Sequence, residues 1–312
     1  MLTLVWGIAT EPPIATVLHE LERRGAPTVF LNQHQVLQTQ LEVCLEESSG
    51  IVRGVLTTPD GCYQLEEVAA LYARPYDSRS LQSVASAGIG SAAWRHAVAF
   101  DEAAWAWAES TSALVVNRLG PTSTNGSKPF QLERIRDVGF SIPATLITTD
   151  PVAADAFWHA HGDVVYKSIS STRSIVAPLG EAHRTRLSDV ATCPTQFQAR
   201  VVGTDFRVHV VGDDVFACRI ESSAPDYRYP DAYEVVIAAD TLPADVAERC
   251  VHAARLLGLH VAGIDLRRTC ADEWFCFEVN PSPAFTYFEA ASGLPIGGAI
   301  ADLLTKSVRT GH

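Results

Sequence analysis

Three oxygen-bearing residues near the C-terminal end carry the strongest chemical signal: Asp265 in GIDLRR, then Glu278 and Asn280 in FEVNPSP. On a strand, side chains two apart share a face, so Glu278 and Asn280 point one way while Val279 points into the core. If the GIDL strand runs antiparallel beside them, Asp265 sits opposite and completes a three-oxygen cluster. Hard divalent cations such as magnesium take donors of this kind, with phosphate oxygens filling the remaining positions. The ordinary alternative is an E-x-N facing solvent, with Asn280 capping a turn before Pro281. Here, however, the acid and the amide are flanked by apolar residues on strands that should be half buried. A buried carboxylate demands a partner, which favours the metal reading.

Two lysines stand in special contexts. Lys167 lies inside the apolar strand VVYKSI and runs into SSTRS, a loop of small hydroxyl residues that includes Ser168 and Ser171. Such a loop lets backbone N–H groups and hydroxyls approach phosphate oxygens, with the lysine as a point charge on them. A strand lysine on a solvated face is the competing reading. Alternation supports it only in part, because Val165 shares that face. Lys128 opens a helix, where the helix dipole disfavours a cation unless an anion is nearby. Further along, Asp205 and Arg207 head a strand, and Arg228 sits in a loop with Asp226, Tyr227 and Tyr229. Arginine suits forked recognition of phosphate or carboxylate. An ordinary surface ion pair between Asp205 and Arg207 fits the spacing equally well.

These residues need elements to position them. LTLVW, a helix over Pro12–Arg24 stopped by Gly25, and PTVFLN form a strand–helix–strand unit that predicts a parallel sheet. A hairpin is expected about Pro59-Asp60-Gly61, then the strand LYARP, a long helix over Ala92–Glu109 and the strand LVVN. Trp105 and Trp107 cannot share a face of that helix, so one is expected to be partly exposed or to cover a neighbouring lobe. A loop rich in Gly, Pro, Ser, Thr and Asn (Arg118–Gly126) marks the first boundary. Beyond it, Ser127 is the expected N-cap of a helix whose apolar stripe is Leu132, Ile135 and Val138. PATLIT, a helix over Pro151–His161 and DVVYKSI follow, and strands dominate from about Thr195, with a hairpin at Gly212-Asp213. His159 and His161 are expected to be exposed at a helix end, and His209 to be an ordinary strand residue.

The chain of 312 residues is long enough for two or three lobes, and 47% hydrophobic with 19% charged residues is a globular composition. A net charge of −12, spread along the sequence, argues against nucleic acid as a partner. It suits a magnesium-nucleotide enzyme, in which the metal brings positive charge. The seven cysteines form no CxxC pair or zinc-like spacing and read as reduced thiols of a cytoplasmic protein. Neither a signal peptide nor a membrane span is expected. No GxxxxGK[ST], GxGxxG, GxSxG or HExxH occurs.

From Pro121 to Leu304 the sequence resembles the ATP-grasp superfamily, specifically its RimK-like carboxylate–amine ligases. The resemblance rests on an ordered set: NGSKPFQLERIRDVGFSIPATLIT, the lysine of VVYKSIS, FQARVVGTDFRVHVVGDDVFA, DYR and GIDLRR…FEVNPSPAF. LYARP, a helix and VVN further resemble the N-terminal domain of the maturases that cyclise microviridin-type (graspetide) peptides. The resemblance implies an α/β ATP-grasp fold: an N-terminal pre-ATP-grasp domain (1–120), a lid subdomain (121–192) and a C-terminal nucleotide- and metal-binding subdomain (193–312). It implies ATP and Mg2+ as cofactors. Lys128 and Lys167 would contact the ATP phosphates or adenine, with Ser168 and Ser171 in the phosphate loop. Gln198 and Ala199 would lie at the adenine hinge, Asp205 would hold the ribose, and Arg228 would bind the transferring phosphate. Asp265, Glu278 and Asn280 would bind magnesium. Ala199 departs from the Glu found in many members, and the SISSTRS loop lacks the glycines common in such lids.

Phosphorylating a carboxylate gives it a leaving group, and Lys and Arg neutralise charge while a closing lid excludes water. The expected partners are a carboxylate donor and an amine or hydroxyl acceptor, small molecule or peptide; the resemblance admits a homo-oligomer, and the sequence leaves the oligomeric state open. The expected function is amide formation by an ADP-forming ligase. Its alternatives are a graspetide-type maturase forming ester or amide crosslinks in a ribosomal precursor, and a nucleotide-binding regulator that has lost turnover.

Overall fold

The computed structural model describes residues 2–47, 52–168, 176–222 and 235–309. In the N-terminal part, β1 (Leu2–Gly7), α1 (Pro12–Arg23), β2 (Thr28–Asn32), β3 (Gln40–Leu45), β4 (Val52–Thr58), β5 (Gly61–Gln64) and β6 (Val68–Ala73) come first. The short α2 (Gln82–Ala85), the long α3 (Ala92–Ser110) and β7 (Leu114–Val116) complete it. The main sheet has the order β2-β1-β6-β7, all parallel, as the strand–helix–strand spacing predicts. Its strands read as continuous apolar runs because both faces are covered. One face packs on α3 through Trp6, Leu71, Phe100 and Trp107. The other packs on α1 through Ile14, Val17 and Leu21. Trp107 is buried, whereas Trp105, on another side of α3, is half exposed and stacks 5.1 Å from Trp6. The expected hairpin joins β4 to β5, with Thr58 opposite Gly61.

The second part holds α4 (Leu119–Ser123), α5 (Lys128–Asp137), β8 (Thr145–Thr148), α6 (Pro151–His161), β9 (Val164–Ser168), β10 (Ala177–Pro178) and β11 (Thr195–Ala199). The third has β12 (Thr204–Val211), β13 (Asp214–Ser222), β14 (Val235–Asp240), α7 (Ala244–Leu256), β15 (Val261–Arg268), β16 (Trp274–Asn280), α8 (Thr286–Ser292) and α9 (Ile296–Arg309). A four-stranded sheet, β10-β9-β11-β8, is followed along the sequence by a five-stranded sheet, β14-β13-β12-β15-β16. Its β11 hydrogen-bonds both β8 and β9, so the smaller sheet extends past the expected break at 192. The C-terminal helix also crosses over. Ile296, Ile300 and Leu304 of α9 share one buried cluster with α1, β6 and β7, so the last helix closes the first sheet.

The five-stranded sheet separates two environments. Phe206, Val208 and Val210 point into an apolar core under α5 and α7, which also takes Leu132, Ile135 and Val138. The alternate residues of β12 point the other way, and there the polar groups gather. Ser127 is the N-cap residue of α5, as expected, although its side chain makes no cap bond. Asn117, just after β7, ties the parallel sheet to the third part. Its amide donates to Val261 O (2.7 Å) and Pro281 O (2.6 Å), and its carbonyl accepts from His260 N (2.8 Å) and Val261 N (3.2 Å).

Candidate active site

β15 and β16 pair antiparallel, with Asp265 opposite Glu278 and Gly263 opposite Asn280. The expected three-oxygen face is therefore formed. A bulge makes it so. The register shifts between Asp265 and Leu266, so Leu266 faces Cys276 and one residue of β16 is left over. That extra residue lets Cys276 and Val279 both enter the core although they are three apart, with Glu278 on the opposite face.

β16 is an edge strand, and α5 holds it. Gln131 behaves as a partner strand would, its amide donating to Val279 O (2.6 Å) while its carbonyl accepts from Val279 N (3.0 Å). One turn earlier, Lys128 turns inward, is itself buried, and pairs with Glu278, its ammonium also reaching Asn125 Oδ1 at 3.2 Å. Glu278 is thus the anion that a lysine at a helix start requires. Burial alone would raise the Glu278 carboxyl, but Lys128, then Lys167 and Arg207, outweigh it and hold it below its ordinary value. The charge of Lys167 acts on Glu278, and the strand lysine is buried rather than solvated.

Asp205 and Arg207 do not pair with each other. They lie two apart on one face of β12, and each reaches across to β15. Arg207 Nη1 meets Asp265 Oδ1 at 2.6 Å, while Arg267 chelates Asp205 at 2.7 and 2.9 Å. Gly263 makes room for this, because a Cβ there would stand 2.3 Å from Arg207 Nη2 and 2.7 Å from the Pro283 ring. The Asn280 side-chain oxygen accepts from Ser282 N at 2.9 Å, which fixes the turn after the cluster.

In the smaller sheet Gln198 is buried and donates to Thr145 Oγ1 at 3.0 Å, and the Ala199 amide donates to Ala144 O at 2.9 Å. Lys167 stands opposite Gln196, so the two share a face with Gln198. Gln196 was not singled out by its sequence context. Its side-chain oxygen is buried without a hydrogen-bond partner among the described residues, an acceptor left open on the same face as Lys167. Ser168 ends β9, and its side chain, like Ser171 and Arg228, lies outside the described residues. His209 is fully buried, with neither ring nitrogen bonded, against the Phe288 ring at 5.3 Å. Burial, helped by Arg207, pushes its pKa well down, so it stands as a neutral ring. His159 and His161 are exposed, as expected.

Two carboxylates and an amide oxygen form a donor set suited to a hard cation, although among the described residues no three His, Cys, Asp or Glu side chains come together. The cations ranged on them fit the phosphates of a nucleotide, and the open acceptor of Gln196 fits a donor such as an exocyclic amine.

A lysine from the smaller sheet, Lys167, and one from the start of α5, Lys128, both act on Glu278 of an acidic strand pair, and this order of two antiparallel sheets defines an ATP-grasp architecture. The chain belongs to the RimK-like ATP-grasp family, whose sequence profile matches residues 135–304. A protein of Xanthomonas oryzae pv. oryzae (strain MAFF 311018) named "probable alpha-L-glutamate ligase" is 33% identical over 152 residues, 47% of this chain and 48% of that one. The chain thus spans about half the length of the curated relatives it matches. Among solved structures, the ATP-grasp ligase PsnB complexed with a phosphomimetic variant of its minimal precursor, Mg and ADP superposes with a TM-score of 0.80. It is 27% identical and covers 98% of both chains. The macrocyclase MdnC from Microcystis aeruginosa MRC, bound with precursor peptide MdnA, superposes at 0.79 over 97% of this chain and 99% of its own. At 22% identity it speaks to the fold alone.

Proposed function

We propose that the chain is an ADP-forming ligase that activates a carboxylate as an acyl phosphate and joins it to an amine. The observation that carries this reading is the pairing of buried Lys128 with Glu278 and of Arg207 with Asp265 on the neighbouring strand. A carboxylate oxygen of the donor attacks the terminal phosphorus of ATP, the bond to ADP breaks, and ADP leaves. The acceptor nitrogen then attacks the acyl carbon, a C–N bond forms as the C–O bond to the phosphoryl group breaks, and phosphate leaves. The spare proton goes to solvent. Lys128 and Lys167 would neutralise phosphate charge during the first step. From the family resemblance, Arg228 would hold the transferring phosphate. Asp265, Glu278 and Asn280 would hold magnesium, which supplies charge neutralisation when bound.

A second reading, a maturase acting on a peptide, is favoured by one observation. PsnB, complexed with its precursor, superposes at a TM-score of 0.80 with 27% identity, against 0.59 and 12% for a D-alanine–D-alanine ligase that covers as much of the chain. The test is ADP release with ATP and magnesium across pools of amino acids, dipeptides and acidic peptides carrying lysine, serine or threonine. Product mass is read alongside. Loss of one water per bond in a peptide, abolished in Lys167→Ala and Glu278→Ala, supports the maturase. Turnover on small acids alone supports the simpler ligase. Pyrophosphate in place of ADP would sink both.

A further inference from the structure

A cavity of about 540 Å³ lies beside the metal-type cluster, between the C-terminal ends of β6 and β7 and the Pro281-Ser282-Pro283 turn that follows Asn280. Carboxyl ends of parallel strands are where α/β sheets commonly take ligands. Its floor is Tyr72 and Arg74, and its outer wall is one face of α3, where Asp101, Glu102 and Trp105 follow at helical spacing.

The charges around it are not evenly matched. Arg74 is committed, Nη2 to Glu11 at 2.7 Å and Nη1 to Ser282 Oγ at 2.8 Å. Arg79, the cation that senses Glu102, is chelated by Asp77 at 2.8 and 2.7 Å. Asp101 accepts from Ser78 N (3.0 Å) and Ser78 Oγ (2.8 Å), neutral donors, and only the field of Arg79, itself committed to Asp77, offsets its charge. The wall therefore presents two adjacent carboxylates with a half-exposed indole one turn along, at the mouth of a site that must admit an acceptor.

We propose that this cavity selects the acceptor, and that it takes an ammonium group on an apolar stem, of the lysine side-chain type. Glu102 pairs with the charge, Asp101 adds to the field, and Trp105 lies along the stem and offers its face to the cation. The assignment rests on the ligase reading and narrows it, since a hydroxyl acceptor gains nothing from the surplus negative charge of this wall.

The test measures equilibrium binding by ligand-observed NMR, using Nα-acetyl-lysine methylamide and its uncharged isostere Nα-acetyl-norleucine methylamide. Wild type, Glu102→Gln and Trp105→Leu are compared. The lysine probe is expected to bind roughly fivefold or more tightly than the norleucine probe in wild type, the size of an ion pair and a cation–π contact at a half-open site. That preference should vanish in Glu102→Gln, and both probes should weaken in Trp105→Leu. Equal binding of the two probes to wild type, or a lysine preference that survives Glu102→Gln, overturns the assignment. A fluorescent ATP analogue is titrated into the same samples. Failure of nucleotide binding strikes the ligase reading, whereas intact nucleotide binding without a lysine preference strikes only the cavity.

Discussion

Replacing Lys128 by Met keeps the length and apolar stem of the side chain and removes its charge. The pair it breaks is well buried, with 7% of the lysine side chain and 21% of the Glu278 side chain exposed. Removing one partner of a buried ion pair typically costs about 3–5 kcal/mol, because a charge is left without compensation. Lys167 and Arg207 still act on Glu278, so the cost here should be smaller, about 2–3 kcal/mol. For a cooperative unit of this size each kcal/mol moves the midpoint by about 2–4 °C, so thermal unfolding should fall by roughly 5–10 °C. The same change frees a carboxylate that the lysine occupies. Mn2+ titrated without nucleotide, followed by electron paramagnetic resonance, should therefore bind about tenfold or more tightly in the variant, given the ~1.4 kcal/mol per decade of affinity. Affinity for the ATP analogue should fall instead. An unchanged melting temperature together with unchanged Mn2+ affinity would refute the view that Lys128 is the counter-ion of Glu278.

Three further outcomes follow from particular contacts. Asn117→Ala strands four backbone groups of His260, Val261 and Pro281, so urea titration should show a loss of about 3–4 kcal/mol, with hydrogen exchange at Val261 accelerated. Gly263→Ala inserts a methyl group into the space of Arg207 and Pro283, forcing Arg207 off Asp265. A drop of about 2–3 kcal/mol is expected, and a melting temperature equal to wild type would contradict the packing. His209 has its pKa depressed by burial and then by Arg207, so the folded state keeps it neutral while the unfolded chain protonates near its ordinary value of about 6.5. Its stabilising effect is complete above that pH and falls as pH drops toward the folded pKa, by up to ~1.4 kcal/mol per pH unit. His260, lowered by burial and by Arg118, adds to the slope. His209→Phe should flatten the loss between pH 6.5 and 5 without abolishing it, as read from midpoints in a pH series.

Much of this arrangement was legible in periodicity and pairing rules. The parallel sheet followed from strand–helix–strand spacing, the hairpin from Pro59-Asp60-Gly61, and the opposition of Asp265 to Glu278 from two adjacent apolar strands. What could not be read is set by tertiary contacts. The bulge in β16 depends on how β15 lines up with it. The return of α9 to the first sheet depends on which apolar stripe finds which, and a helical pattern carries no address. Gln196 and His209 sit in strands where polar residues are unremarkable by spacing, and only their burial without partners sets them apart. The cavity beside Ser282 is made by segments about 200 positions apart in sequence, such as Arg74 and Pro283, which share no local signature.

The ion pairs of the cluster bear on how it would be loaded. In a chain of net charge −12, the cations at this face are not left to meet solvent anions. Each strongest pairing joins a cation to a carboxylate of the cluster or its border: Lys128 to Glu278, Arg207 to Asp265, Arg267 to Asp205. If the proposed ligands bind here, a bare divalent cation must displace a buried partner that is already well placed, and a bare nucleotide must draw Lys128 away from Glu278. Each ligand alone leaves one set of charges exposed in a poorly solvated place, which is costly. Arriving together, the metal satisfies the carboxylates and the phosphates satisfy the cations, so the two exchanges offset one another. The geometry therefore implies that nucleotide and metal bind with positive coupling, and by linkage each should raise the affinity of the other by the same factor. Isothermal titration of ATP analogue with and without magnesium, and of Mn2+ with and without the analogue, measures both legs of that cycle. Equal affinities with and without the second ligand would show that the pairs are not the barrier that their burial makes them.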